Sequence, residues 1–422
     1  MRYCTTSNST KEAMSKSHFL ISLPVLRNLS LISVGMLLLL FGCAPFNTPS
    51  VVENQPVLVK LFPSAYPTLS DDLNYAGLDH GIQMSLSYLR KVPRDRAFVF
   101  GADSYTAAHL IRSLEVFQGF IQARPSADKI TDMVRRDFYV YRAAGVSGKV
   151  LFTGYYEPVL TGSLKETAIY RYPIYSRPDD LVTVELSAFS AKYSGETIVG
   201  RYTGQTLVPY YDRKTIENRE IFKGHALAWV SDPVDLFFLH IQGSGKIILD
   251  QGKTLNVHYH ATNGHPYRSI GKILIDQGKI PKSEISMQAI RAYLKSHPQD
   301  QEAVLNTNLS YVFFKIETDG PFGNLNVPLT PGRSIAVDKK IFPPAALMYI
   351  QTQKPAMTEA GQLGTWEEFG RFALNQDTGG AITGPGRADV FWGNGPYAEL
   401  AAGHLQHRGN MYFLILKPAT IP

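Results

Sequence analysis

Cysteine is almost missing from this chain: only Cys4 and Cys43 occur among 422 residues. No thiol follows them, which excludes disulfide cross-links and cysteine-ligated zinc from the body of the protein. Long apolar runs are equally scarce. The one candidate, Leu29 to Phe41, falls short of the roughly 20 residues that a comfortable membrane span needs. A His-Glu-x-x-His metal helix is absent, and no internal repeat or low-complexity segment appears beyond the N-terminus. Hydrophobic residues make up 44% and charged residues 18%. That is ordinary globular usage, so disorder over most of the chain is excluded, and the length suits two domains.

What the N-terminus does contain is an export signal. Arg2, Lys11, Lys16 and Arg27 precede the apolar run, which ends at Gly42 and Cys43. A basic region, a short apolar core and a small residue before a cut have this pattern. Leu40-Phe41-Gly42-Cys43 resembles the lipobox of bacterial lipoproteins, where cleavage precedes the cysteine and the thiol receives a lipid. The alternative is an ordinary signal with an incidental cysteine. Residues 1–42 are thus expected to be the signal peptide, Cys43 the lipidation site and 43–54 a tether containing Asn47, Thr48, Pro49 and Ser50. Met14 is an alternative start. Ala44 after the cysteine points, by analogy with known sorting, to the outer membrane, with the body facing the periplasm. Removing residues 1–42 takes four basic side chains and Glu12 with it and lowers the formal charge from +6 to +3. This mild excess suits an anionic polymer and gives no reason to expect nucleic acid.

Between Asp71 and about Asp137 the apolar spacing is helical. Leu78, Ile82, Leu86 and Leu89 form one stripe. Leu110, Leu114, Phe117 and Ile121 form a second, after a cap at Asp103 or Ser104. Pro93 and Pro125 punctuate these helices, and a third is expected from Ser126 toward Tyr141. After Gly148 the chain turns to short runs rich in Val, Ile, Tyr, Phe and Thr: Val150 to Tyr156, Tyr172 to Tyr175, Ala226 to Val230, Leu236 to Gln242 and Thr254 to Tyr259. These predict a β barrel or sandwich. A helical interlude covers Tyr267 to Ile275 and Ser286 to Leu294. Strands resume at Tyr311 to Ile316, Ser334 to Val337, Phe372 to Gln376 and Met411 to Leu416.

Several familiar chemistries fail on inspection. His258 and His260 lie two apart on a predicted strand, facing one side, but no nearby carboxylate or cysteine completes a metal site. His404 and His407 share that weakness. Gly243-Ser-Gly-Lys246 resembles the end of a phosphate loop without its upstream glycine. Ser244 lacks the flanking glycines of a nucleophile elbow, and Gly384 and Gly386 start a dinucleotide-like fingerprint that fails where Asp389 stands instead of a glycine. No metal and no cofactor is expected.

The most informative stretch runs from Asn375 to Gly395. Asp377 and Asp389 bracket a loop holding Gly379, Gly380, Gly384 and Gly386, through which backbone can approach a bulky ligand. The structural alternative is a pair of turn aspartates capping their own backbone. Asp389 precedes Val390, Phe391 and Trp392, an apolar run expected to desolvate its carboxyl. Together with the like charge of Asp377, that raises its pKa toward the range of a general acid.

Val327 to Pro418 resembles the module named for three aspartates, here Asp338 (Arg-Ser-Ile-Ala-Val-Asp), Asp377 (Asp-Thr-Gly-Gly-Ala-Ile) and Asp389 (Arg-Ala-Asp-Val-Phe-Trp-Gly). To this add Gly154-Tyr-Tyr-Glu-Pro158, Tyr172-Pro-Ile-Tyr175, Ile241-Gln-Gly-Ser-Gly245, the run from Asn263 to Lys272 and Ser286 to Arg291. With these motifs the chain, from about residue 60 to its end, resembles the membrane-bound lytic murein transglycosylase A family. The resemblance implies a mainly β protein with some α: a double-psi β-barrel of residues 55–157 plus 317–422, with the aspartate module at 327–418. It implies an inserted second β domain at 158–316, with the glycan in the groove between the two.

It further implies cleavage of the MurNAc-GlcNAc β-1,4 bond of peptidoglycan without water, leaving 1,6-anhydro-MurNAc ends, and its lone catalytic aspartate maps onto Asp389. Asp377, Gly379 and Gly380 are assigned to shaping the site, and Asp338 to a turn. Tyr155 and Tyr156 suit stacking on sugar rings, although one of two adjacent strand residues belongs to the core. Gln242, Ser244 and Gly245 offer donors to N-acetyl or lactyl groups, or form a simple glycine-rich hairpin. Glu157 is either a second carboxylate or a brace at the domain crossing, and Arg268 binds the peptide stem or pairs on the surface. The competing readings are a two-carboxylate hydrolase and a silent wall-binding lipoprotein. The partner proteins expected are those of cell-wall synthesis or division.

Overall fold

The structure, a computed structural model, describes residues 56–218 and 220–418. The signal, Cys43 and the 43–54 tether lie outside the described residues. The first part of the chain builds β1 (Leu58–Lys60), α1 (Leu78–Leu89), β2 (Ala97–Phe100), β3 (Asp103–Thr106), α2 (Ala107–Ile121), α3 (Ala127–Asp137), β4 (Phe138–Ala143) and β5 (Val150–Tyr155). The α1 stripe of Leu78, Ile82, Leu86 and Leu89 is wholly buried. The cap of α2 is Thr106, whose Oγ1 accepts from the His109 amide at 3.2 Å. Asp103 and Ser104, expected in that role, pair in the β2–β3 hairpin instead. The third helix stops at Asp137, short of the expected Tyr141. Phe138, Tyr139, Val140 and Tyr141 are β-formers, and they are drawn into pairing with the C-terminal strand.

The middle of the chain adds β6 (Val159–Ser163), β7 (Tyr172–Tyr175), β8 (Val182–Glu185), β9 (Thr197–Thr203), β10 (Thr206–Pro209), α4 (Arg213–Asn218), β11 (Ala226–Val230), α5 (Pro233–Gln242), β12 (Ser244–Leu249), β13 (Thr254–Thr262), α6 (Ile270–Asp276), α7 (Met287–Ser296), α8 (Pro298–Leu305) and β14 (Val312–Glu317). Six of these strands form one sheet in the order β14-β13-β12-β6-β11-β7, and β10-β9-β8 form a separate one. The expected strand at Leu236 to Gln242 is the helix α5. Asp232 caps it through Oδ1, which accepts from the Val234 and Asp235 amides, Pro233 opens its first turn, and Gly243 at φ +77° ends it. Its apolar run shows no helical period because both sides are covered. Leu236 and Leu239 join the core of the six-stranded sheet, whereas Val234, Phe237 and Phe238 pack with α6, α7 and α8.

The last part supplies β15 (Ser334–Ala336), β16 (Leu347–Met357), β17 (Leu363–Asp377), β18 (Arg387–Phe391), α9 (Pro396–His404) and β19 (His407–Leu416). These strands join those of the first part in the order β1-β4-β19-β16-β17-β15-β18-β5, and β19 also pairs with β5. That last pairing closes β5, β19, β16, β17, β15 and β18 into a six-stranded barrel. Its wall buries Phe152, Ile335, Leu347, Leu374, Val390 and Phe413, and α1 and α2 pack on its outside. The protein is thus mainly β with some α. In sequence, the six-stranded sheet of the middle part falls between the barrel strands β5 and β15.

Candidate active site

Within the barrel, β18 lies between β5, to which it is parallel, and β15, to which it is antiparallel. The register places Asp389 opposite Thr153 on one side and Ala336 on the other, and Ala336 opposite Asp377 of β17. Two carboxylates thus share a row across the sheet with only a methyl group between them. Two strand spacings put their Cα atoms roughly 10 Å apart. The stretch ends in a cluster because Tyr155, the β5 partner of Phe391, packs tilted against that ring at 5.2 Å and donates its hydroxyl to Asp377 Oδ2 at 2.7 Å.

The two aspartates differ sharply in how they are satisfied. Asp377 accepts at Oδ1 from the amides of Asn324 and Thr378, each at 2.8 Å, in addition to the Tyr155 hydroxyl. Burial still raises its pKa against those three bonds. Asp389 has an Oδ1 that is buried and has no hydrogen-bond partner, although the residue keeps part of its surface open to solvent. Burial is the main cause that lifts its pKa to about 6; Arg387 pulls it down and Asp377 pushes it up. Relative to an ordinary aspartate, the fraction protonated at pH 7 rises about a hundredfold. Burial, with the charges of Asp377 and Asp389, holds the Tyr155 hydroxyl well above its usual range, so it stays a neutral donor.

Not every side chain expected at this site reaches it. Phe391 is fully buried beside the cluster, but Trp392 is engaged by Phe369, Tyr397 and Arg371. Gly154 leaves the room Trp392 needs: a Cβ there would stand 2.6 Å from its Nε1. Of the adjacent tyrosines, Tyr155 is half-buried at the cluster and Tyr156 is core. The Tyr156 amide donates to Gln242 Oε1 at 3.0 Å, and its hydroxyl accepts from Arg291 at 3.1 Å. Ser244 and Gly245 open β12 and are buried; a Cβ on Gly245 would meet Leu239 at 2.5 Å, so packing alone requires glycine there. Gly379 and Gly380 follow Asp377 in an irregular loop, and Gly380 faces open space.

The remaining candidates have structural partners. Glu157 is buried, with Lys246 at 3.2 Å and Asn394 at 3.0 Å, and its amide donates to the Gly393 carbonyl at 2.7 Å. It braces the crossing from β5 to β6. Asp338 accepts from the amides of Lys340 and Gly384, which fixes its own turn and pins the glycine loop. Arg268 is exposed, and its amide donates to Asn308. A register shift at His260 breaks the alternation expected of the histidine pair. His258 is half-buried, its pKa lowered to about 4 by burial and Lys315, and His260 is exposed. Among the described residues no group of three or more His, Cys, Asp or Glu could hold a metal ion.

Two contributors escaped the sequence reading. The Asn324 amide arrives from a loop 53 residues away in the chain, and no local signal announces it. Arg387 was legible in principle, since a residue two places before Asp389 on a strand shares its face. Its Nη2 donates to Thr153 Oγ1 at 3.2 Å, and its buried Nε has no partner.

Known proteins match this arrangement over most of its length. The family description "MltA specific insert domain" fits residues 151–315 and "3D domain" fits residues 333–415. Membrane-bound lytic murein transglycosylase A of Escherichia coli K12 is 32% identical over 287 residues, 67% of this chain and 70% of that protein. The chain belongs to the membrane-bound lytic murein transglycosylase A family. It is accordingly an enzyme, a lytic transglycosylase with a role in degrading peptidoglycan. A membrane-bound lytic murein transglycosylase from Agrobacterium tumefaciens superposes with TM-score 0.69 at 30% identity, covering 86% of this chain and 98% of that one. The E. coli protein with bound chitohexaose gives 0.65 at 26% identity over 86% and 95%. The 3D match contains β15 to β18 and all three aspartates, and the insert match contains the six-stranded sheet of the middle part except the last two residues of β14.

Proposed function

We propose that this lytic transglycosylase cleaves the MurNAc-GlcNAc β-1,4 bond with Asp389 acting first as general acid and then as general base. The protonated carboxyl gives its proton to the bridging oxygen as the C1–O bond breaks. The resulting carboxylate takes the proton from the C6 hydroxyl of the same MurNAc as that oxygen bonds to C1, forming a 1,6-anhydro end. The nucleophile is already part of the substrate, so proximity replaces activated water. The observation that carries this reading is the unpartnered Oδ1 of a carboxyl whose pKa is raised to about 6. Neither neighbouring carboxylate is as free to place a water: Asp377 is held by three hydrogen bonds and Glu157 by Lys246 and Asn394. A chitohexaose complex of the E. coli relative supports a β-1,4-linked amino-sugar strand as ligand.

In this reading residues 55–157 plus 317–422 form one double-psi barrel, and 158–316 are its insert. Peptidoglycan lies between them, against Tyr155, Gly379 and Gly380, with Tyr156, Gln242, Ser244 and Gly245 shaping the groove wall. Cys43 carries the lipid that holds the enzyme to the outer membrane, in keeping with the "membrane-bound" of its relatives' names. Mass spectrometry of murein sacculi digested by wild type and Asp389→Asn tests the chemistry. Anhydro-ended muropeptides from wild type are expected, with a loss of about 10²–10⁴-fold in the variant. Reducing ends from wild type, or an undiminished rate in the variant, would sink it.

A further inference from the structure

We infer that Arg387 is a specificity-determining residue that binds a carboxylate carried by the muramyl residue at the scissile bond. The inference rests on Asp389 marking where that bond lies, as proposed above. Arg387 and Asp389 are two apart on β18, so their side chains leave the same face of the strand about 7 Å apart. The guanidinium turns toward the row that holds Asp389. Its Nη2 donates at 3.2 Å to Oγ1 of Thr153, and Thr153 is the β5 partner of Asp389. The cation is thereby anchored beside the catalytic carboxyl, on the side away from Ala336 and Asp377.

No carboxylate of the protein satisfies this cation among the described residues. The fully buried Arg213, Arg333 and Arg371 each face one: Glu217, Asp71 and Asp72 respectively. Arg387 is half-buried, and its one hydrogen bond among the described residues is to Thr153. Nε is enclosed without a partner, whereas Nη1 is neither bonded nor enclosed. A half-buried charge held by one neutral hydroxyl is poorly compensated, and an incoming anion repairs that. The structural alternative is a cation that only screens the two aspartates, but it pairs with neither. Asp377 is held by Tyr155, Asn324 and Thr378, and Asp389 Oδ1 stays unbonded. In a murein strand the acidic group of the sugar backbone is the lactyl carboxyl on O3 of muramic acid, one pyranose ring away from the C1 that is cleaved. Where a stem peptide is attached, that carboxyl is an amide and the nearest carboxylates belong to the stem. Both sources present the same group, which a guanidinium binds through charge-assisted N–H donors. Chitohexaose, bound in the E. coli relative, has no carboxylate. Arg387 thus separates murein from an unsubstituted glucosamine strand.

Calorimetric binding to the Asp389→Asn chain tests this apart from catalysis. The ligands are chitohexaose, a peptide-free murein hexasaccharide, its lactyl methylamide, and a hexasaccharide whose muramyl residues carry an L-alanyl-D-glutamate stem. An acidic ligand should bind more tightly than both chitohexaose and the methylamide. A gain with the free acid assigns the lactyl carboxylate, and a gain with the dipeptide form alone assigns the stem. Adding Arg387→Gln should remove the gain, weakening the acidic ligand about tenfold or more, with chitohexaose affinity unchanged. Retained chitohexaose binding shows that this chain folds. Equal affinity for the acidic ligands and the methylamide, a comparison that needs no change at Arg387, overturns the inference. So does a preference for the acid that survives Arg387→Gln. Cleavage of these ligands by the Asp389→Asn chain would count against the acid–base role of Asp389 and not against the affinity difference.

Discussion

At the scale of single residues, Asp389 should be visible in stability as well as in catalysis. Its pKa in the folded chain, about 6, lies above the ordinary aspartate value. The folded state therefore holds a proton that the unfolded chain has released. The stabilisation this provides is complete below about pH 4 and is lost as pH rises through about 6. Asp389→Asn removes the dependence, so its thermal midpoint should exceed wild type at pH 8 and converge with it near pH 4. A midpoint below wild type at pH 8 would contradict the placement of an unpartnered carboxylate there. The same titration predicts a fall in kcat/KM of about tenfold per pH unit above 6, because the acid form starts the reaction. Arg387 lowers the pKa of Asp389. Arg387→Gln should move that alkaline limb to higher pH, and a pH–rate profile with an unmoved limb would rule the influence out.

Secondary-structure elements show where local pattern is sufficient and where it is not. The stripes of α1 and α2 are readable because each helix has one buried face and one wet face, which imposes a period on the sequence. The run in α5 is apolar on both sides, and periodicity cannot tell such a segment from a buried strand. Its polar ends carried the information instead: Asp232 and Pro233 before it, Gly243 after it. Asp232→Ala should cost about 1 kcal/mol of stability through loss of that cap, measurable by urea denaturation. An unchanged denaturation midpoint would mean that packing alone holds α5. The strand β18 is of a third kind. Its alternation of half-buried Arg387 and Asp389 with buried Ala388 and Val390 is a strand pattern in plain view. Its neighbours, β5 and β15, come from distant parts of the chain, and no local pattern names them.

For the whole molecule, the barrel depends on joining segments that lie on either side of the middle part in the sequence. Asp71, in the first part, accepts both ends of the Arg333 guanidinium at 2.6 and 2.8 Å, and both side chains are fully buried. Breaking such a pair strands a charge in the interior, so Asp71→Ala should destabilise the fold by about 3–5 kcal/mol. A loss under about 1 kcal/mol in chemical denaturation would show that the segments are held mainly by apolar packing. Arg291 plays a corresponding part for the middle section: it reaches Asp235, Glu399 and the Tyr156 hydroxyl, tying α7 and α5 to α9 and the residue that follows β5.

Composition and periodicity alone determined the mainly β character, the early helices, the absence of thiol chemistry and the two aspartates flanking a glycine-rich loop. All of these depend on interactions between residues close in sequence. Tertiary structure alone decided that Ala336 separates those aspartates, that Tyr155 and the Asn324 amide occupy Asp377 while one oxygen of Asp389 stays unbonded, and that Trp392 packs with Phe369 and Tyr397. It also assigned Glu157, Gln242 and Gly245 to bracing and packing contacts. Each of these contacts joins residues far apart in the chain, and strand register, which places them, is set by the closing of the barrel as a whole.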